Sequence, residues 1–381
     1  EGGGNMDRAL VLDWFEEVLH TDATKIFHNA MYDVSWIRSM GFQIRGGIID
    51  TMIAASLCNE NRWSYTLDSV AKEYIGMGKS EKMLQEAAKS WGINPKAEMW
   101  RLPAPLVGEY AEQDAVITLK LWAAMKHELS KQDLWDVFNL ETNLFPCLVD
   151  MKFKGVRVDI VKAEETKKSL AITEKEMHRD IEKIAGFEVE IWAAASIAKA
   201  FDQVKLPYDR TEKGAPSFTK NFLATHPHEL PKLINQAREI NKANTTFIET
   251  ILKHEYKGRI HSDINQIRSD DGGTVTGRFS YSNPNLQQIP ARHKELGPLI
   301  RSLFIPETGT KWGCFDYSQQ EPRILVHFAS LLRLEGTQTI VDGYNAGDAD
   351  FHQMIADMAG IERKQAKTIN LGLMYGMGKN K

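Results

Sequence analysis

Between residues 136 and 256 the chain offers almost nothing but helix. Within that block, residues 162–184 carry Lys and Glu at the three- and four-residue spacings that pair on a helix surface. GAPSFTK (214–220) interrupts it with a turn and a helix cap. So long a helical block divides the chain, because the strand signals are confined to either side of it. KIFHNA (25–30) reads as a buried strand, GGIID (46–50) as a second, and residues 32–40 as an amphipathic helix between them. Residues 258–316 are irregular and β-rich, and 320–381 are helical again. One continuous sheet is excluded. The pattern predicts a multi-domain chain, with an α/β part first and an α+β part last.

The 381 residues give room for two or three domains, and 43% hydrophobic with 26% charged residues is ordinary globular composition. A formal net charge of −4 advertises no nucleic-acid partner, although a basic groove can sit on an acidic protein. Cys58, Cys147 and Cys314 are odd in number, far apart and without a Cys-x-x-Cys pair. That points to a reducing compartment and no structural zinc. No apolar run approaches a membrane span and no secretory signal opens the chain, so a cytoplasmic protein with no membrane partner is expected. Both ends, EGGGNMD and GMGKNK, read as cuts in a larger protein.

Three motifs follow one another in the last third. TGRFSYSNPNLQQIP (276–290) is rich in turn formers and side-chain amides, with Arg278 inside it and Arg292 just beyond. Asn, Gln and Arg are the donors and acceptors that meet nucleic-acid backbones and base edges. GCFDYSQQEPRILVHFA (313–329) follows a strand-like run at Trp312. It puts Asp316 at the end of an expected strand, where Asp316 and Ser318 share a face, and Glu321 at the start of a helix that Pro322 suits. ERKQAKTINLGLMYGMG (362–378) sets Arg363, Lys367, Asn370, Leu371 and Met374 or Tyr375 on one helical face. An Arg, a Lys and a Tyr on one stripe make an odd core face, and triphosphate would supply the negative partner. Taken singly, these are a polar loop, a capping acid beside a surface acid, and a solvated basic helix. Their order is what is specific.

In that order they resemble the palm and fingers of the DNA polymerase I family (family A) of bacteria and phages. The resemblance implies that Asp316 and the Tyr317 carbonyl bind catalytic Mg²⁺. It also implies that Gln319 lies beside the incoming nucleotide and that Glu321 packs under its sugar and rejects a 2′-hydroxyl. Arg363 and Lys367 would grip the phosphates, with His352 and Arg292 as further phosphate-side groups. Leu371 would face the deoxyribose and Tyr375 the templating position. Arg278, Asn285 and Gln288 would contact primer–template DNA. This sequence departs from the family at Gln320 and Pro322, where apolar residues are usual, and at Leu371, usually Phe or Tyr. The family's His-Asp-Glu palm motif, with the second metal-binding Asp, is not in the sequence.

Upstream, IFHNAMYDVSWI (26–37) puts Asp33 just past a strand, and YAEQDAVITLKLW (110–122) sets Tyr110 and Asp114 one helical turn apart. Alone, these are a helix cap and a surface pair. Ahead of the other motifs they resemble the second and third motifs of a 3′→5′ proofreading exonuclease, with a ribonuclease H-like fold. Asp33 and Asp114 would then be metal ligands, and Tyr110 would orient the attacking water. The family's first motif, Asp-x-Glu, is absent from residues 1–27. The middle of the chain resembles the polymerase thumb, which implies that Lys220, Arg238, Lys242 and Lys253 could touch duplex phosphates; taken singly, each reads as a solvated surface charge.

The expected domains are an exonuclease-like domain at 1–135, thumb and connecting helices at 136–257, palm at 258–330 and part of the fingers at 331–381. The expected function is template-directed DNA synthesis by two-metal nucleotidyl transfer with proofreading. Mg²⁺ is the expected ion, two per site, with Mn²⁺ as an alternative. The expected partners are primed DNA, dNTPs, other polypeptides carrying the two absent motifs, and a processivity factor. Two other readings stand beside it: a 3′→5′ exonuclease alone, and a non-catalytic subunit that binds primer–template.

Overall fold

The structure is a computed structural model that describes residues 5–378 apart from 292, 348 and 349. Arg292 therefore lies outside the described residues. Two compact units divide between Thr308 and Gly309, inside the span expected to be palm.

The first unit opens with α1 (Arg8–Leu19), whose first N–H groups are capped by Asp7 Oδ1. β1 (Lys25–Phe27), α2 (Ala30–Ser39) and β2 (Ile48–Asp50) follow. The two strands pair in parallel, Lys25 with Ile48 through Phe27 with Asp50, so the predicted strand–helix–strand unit is present. The first strand is shorter than KIFHNA suggested, because Asn29 turns into the left-handed region (φ 68°) and starts the helix at Ala30. Next come α3 (Thr51–Cys58), α4 (Leu67–Ile75), α5 (Lys82–Trp91) and the long α6 (Ala104–Lys131). Ile53, Tyr65, Val70, Ile117, Leu121 and Met125 form their buried core, which Ile267 joins from far along the chain.

The middle of the unit is helical as read: α7 (Trp135–Lys154), α8 (Ile160–Ala185), α9 (Ala194–Gln203), α10 (Lys220–Thr225) and α11 (Glu229–Lys242). Thr219 Oγ1 caps α10, fulfilling the cap read from GAPSFTK. A second core gathers Ile181, Ile197, Phe201, Leu223, Leu230 and Ile234.

The remainder of the unit holds short antiparallel pieces, among them β3 (Asp263–Asn265) paired with β4 (Ser280–Ser282). Between these strands the chain reaches back 205 positions. Both Asp270 oxygens accept the Tyr65 N–H, at 3.0 and 2.9 Å, and Oδ2 also takes the Ser64 hydroxyl at 3.2 Å. The loop closes on Gly273, at φ +87°; a Cβ there would lie 2.0 Å from the Ile267 carbonyl oxygen, so the position requires glycine.

The second unit is α12 (Gln320–Leu331), α13 (Thr337–Ala346), α14 (Phe351–Ala359) and α15 (Arg363–Met374). Asp350 Oδ1 caps α14, and Glu362 with Gln365 forms a capping box on α15. The strand expected at Trp312–Asp316 is absent: residues 311–317 have no regular structure, with Phe315 98% and Tyr317 80% exposed. A strand exists only by pairing, and none of the described residues pairs with this stretch.

Candidate active sites

The first site is a cavity of about 570 Å³ whose walls include His28, Asp33, Lys79, Asp114 and Asp270. It forms where β1 and β2 end. Asp50, at the end of β2, is buried and serves two helices. It accepts the N–H groups of Asn29 (3.0 Å) and Ala30 (2.8 Å) at the start of α2 and that of Met52 (2.8 Å) at the start of α3. Burial pushes its carboxyl up, while His28 and the three N–H donors pull the other way. His28 spans Thr51 Oγ1 and the Tyr65 carbonyl, and burial lowers its imidazole against the pull of Asp50. Asp33, one turn into α2, is half-buried. Burial, and then the nearby Asp50 charge, push its carboxyl up to about 6.

Asp114 arrives from α6. Its Oδ2 accepts the Lys79 ammonium at 2.6 Å, whereas Oδ1 is buried with no hydrogen-bond partner. Lys79 also donates to the Tyr110 hydroxyl at 3.3 Å and stands 5.1 Å from the centre of that ring. Tyr110 and Asp114 therefore share a face, as their spacing predicted, and both converge on a lysine that the motif reading missed. Burial opposes the Lys79 charge, but Asp114 and Tyr110 more than offset it and hold the ammonium above its ordinary range.

An orphaned carboxylate oxygen and an acid raised by its own surroundings both favour a bound cation. Asp33 and Asp114 thus fit a hard divalent ion as two of its oxygen ligands. Among the described residues, no group of three or more His, Cys, Asp or Glu could hold a metal by itself.

The second site lies in the 309–378 unit. Asp316 is exposed on the irregular stretch. Past it the chain turns at Gln319 (φ 53°) into α12, as Pro322 suggested. The Gln319 side-chain oxygen accepts the Phe351 N–H (3.0 Å) and the Tyr344 hydroxyl (3.3 Å). Glu321 Oε1 accepts the Tyr375 hydroxyl at 2.6 Å, joining the start of α12 to the end of α15. Arg363 donates to Asp350 from two nitrogens, at 2.8 and 2.7 Å. Lys367 is exposed and Leu371 half-buried on α15.

The predicted stripe on α15 is therefore split. Asn370 turns inward and bonds His352 Nδ1 at 3.1 Å, and His352 is only 3% exposed. Burial holds its imidazole below the ordinary range, against the pull of Asp350. The ring is thus covered, whereas a phosphate contact would need it accessible. Asp316 offers an exposed carboxylate, whereas the Glu321 carboxylate is engaged by the Tyr375 hydroxyl.

Residues 161–381 match the profile of DNA polymerase family A, and residues 5–130 that of a 3′-5′ exonuclease. This chain belongs to DNA polymerase family A. It is 36% identical over 404 residues to a DNA-directed DNA polymerase of Pseudomonas phage M6, covering 99% of this chain and 60% of that protein. It is 33% identical over 399 residues to DNA polymerase DpoZ of Acinetobacter phage SH-Ab 15497, covering 96% and 63%. Its shape resembles the solved POL domain of Pol1 from M. smegmatis in complex with DNA primer-template and dNTP. The TM-score is 0.73 at 22% identity, over 96% of this chain and 61% of that one, a likeness that shows the fold. The chain thus spans about three-fifths of the length of these relatives.

In this family A chain the segment expected to contact DNA is ordered largely by its own amides. Asn285 Oδ1 caps a short helical turn at Gln287 N (3.0 Å), and Gln287 reaches the Phe279 carbonyl (3.0 Å). Arg278 and Gln288 are exposed on it. Arg238, one of the thumb cations, is instead structural. It donates to the Ile191 carbonyl at 2.6 Å and the Phe218 carbonyl at 3.0 Å, and burial lowers it. Lys220 pairs with Glu239 at 2.8 Å. No helix among the described residues is long and apolar enough to cross a membrane.

Proposed function

We propose that this chain performs template-directed DNA synthesis from dNTPs on a primed template, with 3′→5′ removal of mismatched primer ends at the first site. The observation that carries the reading is the Tyr375–Glu321 hydrogen bond. It fixes the helix that begins just past Asp316 against the helix bearing Arg363 and Lys367. Asp316 and the Tyr317 carbonyl would hold Mg²⁺ there, and Asp33 and Asp114 at the first site. When bound, the ions supply an activated hydroxyl and a stabilised leaving oxygen.

The chain's own groups then do the following. Lys367 and Arg363 set positive charge where phosphoryl charge develops, Arg363 being preset by Asp350. Glu321, steadied by Tyr375, would close the space beneath the sugar. Leu371 would set how the deoxyribose packs. Tyr110 would orient the attacking water at the first site. We place the chain in the cytoplasm, with primed DNA as partner and a processivity factor as a further one.

The test is an assay of this chain with Mg²⁺, dNTPs and a primed template, beside Asp316→Ala and Asp114→Ala. Extension lost only in Asp316→Ala, and degradation lost only in Asp114→Ala, support the reading. Degradation without extension favours a nuclease. DNA binding without either reaction favours a binding subunit, unless added polypeptide restores extension by supplying a second carboxylate.

A further inference from the structure

The Asp114 carboxylate is divided. One oxygen is held by an ammonium, and the other is buried, aimed at no donor, in a side chain that lines the first cavity. We propose that Lys79 is a resident counter-ion of the exonuclease carboxylates: it shares Asp114 with the divalent ion, weakens that ion's binding, and holds Asp114 and Tyr110 in their working positions. The proposal rests on the exonuclease reading above and goes beyond it by adding a residue and a sign.

Three features of the structure carry it. First, Lys79 is held from both ends. Its backbone N–H donates to Asp68 Oδ1 at 2.8 Å, and the next N–H, of Ser80, donates to Gln113 Oε1 at 2.8 Å. The Lys79 ammonium is thus fixed beside α6 by groups on α4 and on α6 itself, with its side chain only 17% exposed. Second, the geometry divides labour within one carboxylate. Oδ2 is taken by nitrogen at 2.6 Å, so Oδ1 is the oxygen left for a cation. The two positive charges then face each other across a single carboxylate group, a repulsion little screened in a recess of this kind. Third, Lys79 occupies the acceptor side of the Tyr110 hydroxyl, so the phenol's own proton is left to donate, with Asp114 beside it as an acceptor. Tyr110 does not itself line the cavity. Lys79 is therefore a positioning residue, acting through Asp114 and Tyr110.

A purely structural lysine and a shared counter-ion predict opposite signs. If Lys79 only supports the fold, removing its charge loosens Asp114 and weakens metal binding and turnover together. If it shares Asp114, metal binding tightens while turnover falls. The experiment titrates Mn²⁺ into the full chain, with bound ion read by electron paramagnetic resonance, for wild type, Lys79→Gln, Lys79→Arg and Asp114→Asn. Exonuclease turnover is measured on a mismatched primer at saturating Mn²⁺. Lys79→Gln is expected to bind Mn²⁺ about tenfold more tightly, the effect of roughly one unit of changed charge balance, and to turn over about tenfold more slowly. Lys79→Arg, which keeps the charge, is expected to return Mn²⁺ affinity to the wild-type value. A Lys79→Gln affinity that is unchanged or weaker overturns the proposal, including the case in which neither protein shows the site. Asp114→Asn separates the two levels. If it binds Mn²⁺ as wild type does, Asp114 is not a ligand and the exonuclease reading itself fails.

Discussion

Asp114 is gripped inside a recess, while Asp316 stands on open chain. The first shares its carboxylate with an ammonium on one side and leaves a buried, bare oxygen on the other; the second is exposed, on a stretch with no regular structure. Two acids proposed for the same chemistry, holding Mg²⁺ against a phosphodiester, thus differ in what the fold itself asks of them. One is part of the architecture and the other is almost free of it. Removing each should separate function from stability in different ways.

The largest effect is expected at Asp316. Asp316→Ala should lower single-turnover primer extension by on the order of 10³-fold, since several kcal/mol of charge stabilisation depend on a metal ligand. Its unfolding free energy should not change beyond the roughly ±0.5 kcal/mol usual for a surface change. A large loss of stability would show that the open stretch is packed in solution. Asp114→Ala should lower degradation of a mismatched end by about 10²-fold or more, and should also cost about 2 kcal/mol, because Lys79 loses its charged acceptor while staying mostly buried. Denaturant unfolding of the two variants side by side tests the contrast directly.

Asp33 should show the reverse sign. Its folded carboxyl holds its proton to about pH 6, against an ordinary value of 3.8. Its contribution to stability is then fully present below the ordinary value and lost as pH rises through 6. Asp33→Asn should therefore stabilise the metal-free protein above pH 6, by on the order of 1 kcal/mol after allowing for partial exposure, and do nothing below pH 4. A flat difference across that range would remove the idea that the recess stores negative charge for a cation. The smallest effect is expected at Tyr375. Tyr375→Phe should cost about 1 kcal/mol through the lost bond to Glu321, and should raise ribonucleotide incorporation by less than Glu321→Ala does. Equal incorporation in all three proteins would refute a sugar gate at Glu321.

What could be read from the sequence followed how local each signal was. The start of α12 near Pro322, the Thr219 cap and the helix carrying Arg363 to Met374 depend on neighbours a few positions away, and all are present. The strand at Trp312–Asp316 failed because a strand is a property of two segments, and apolar residues in one do not show whether the other is there. Lys79 was missed for the same reason. It lies 35 positions from Asp114, in a loop just after Gly76 and Gly78 whose residues look like an ordinary turn, and only the fold brings it to the carboxylate. At His352 and Arg238 the residue type suggested phosphate, and the structure adds internal partners that the sequence did not show, a buried Asn370 for the first and two carbonyls for the second. Charge type alone does not say whether a cation faces a ligand or a peptide group.

The bond from Asp270 to Tyr65 also sets an order in time. Ile267 completes the core of the α3, α4 and α6 helices, and Asp270 accepts an amide that emerged 205 positions earlier. At ribosomal rates of about 5–20 residues per second, the Tyr65 amide waits roughly 10–40 s for its acceptor. Through that interval the recess around His28 and Tyr65 lacks one wall. The nascent chain is then expected to stay open to proteases and to chaperones at this recess until residue 270 has emerged.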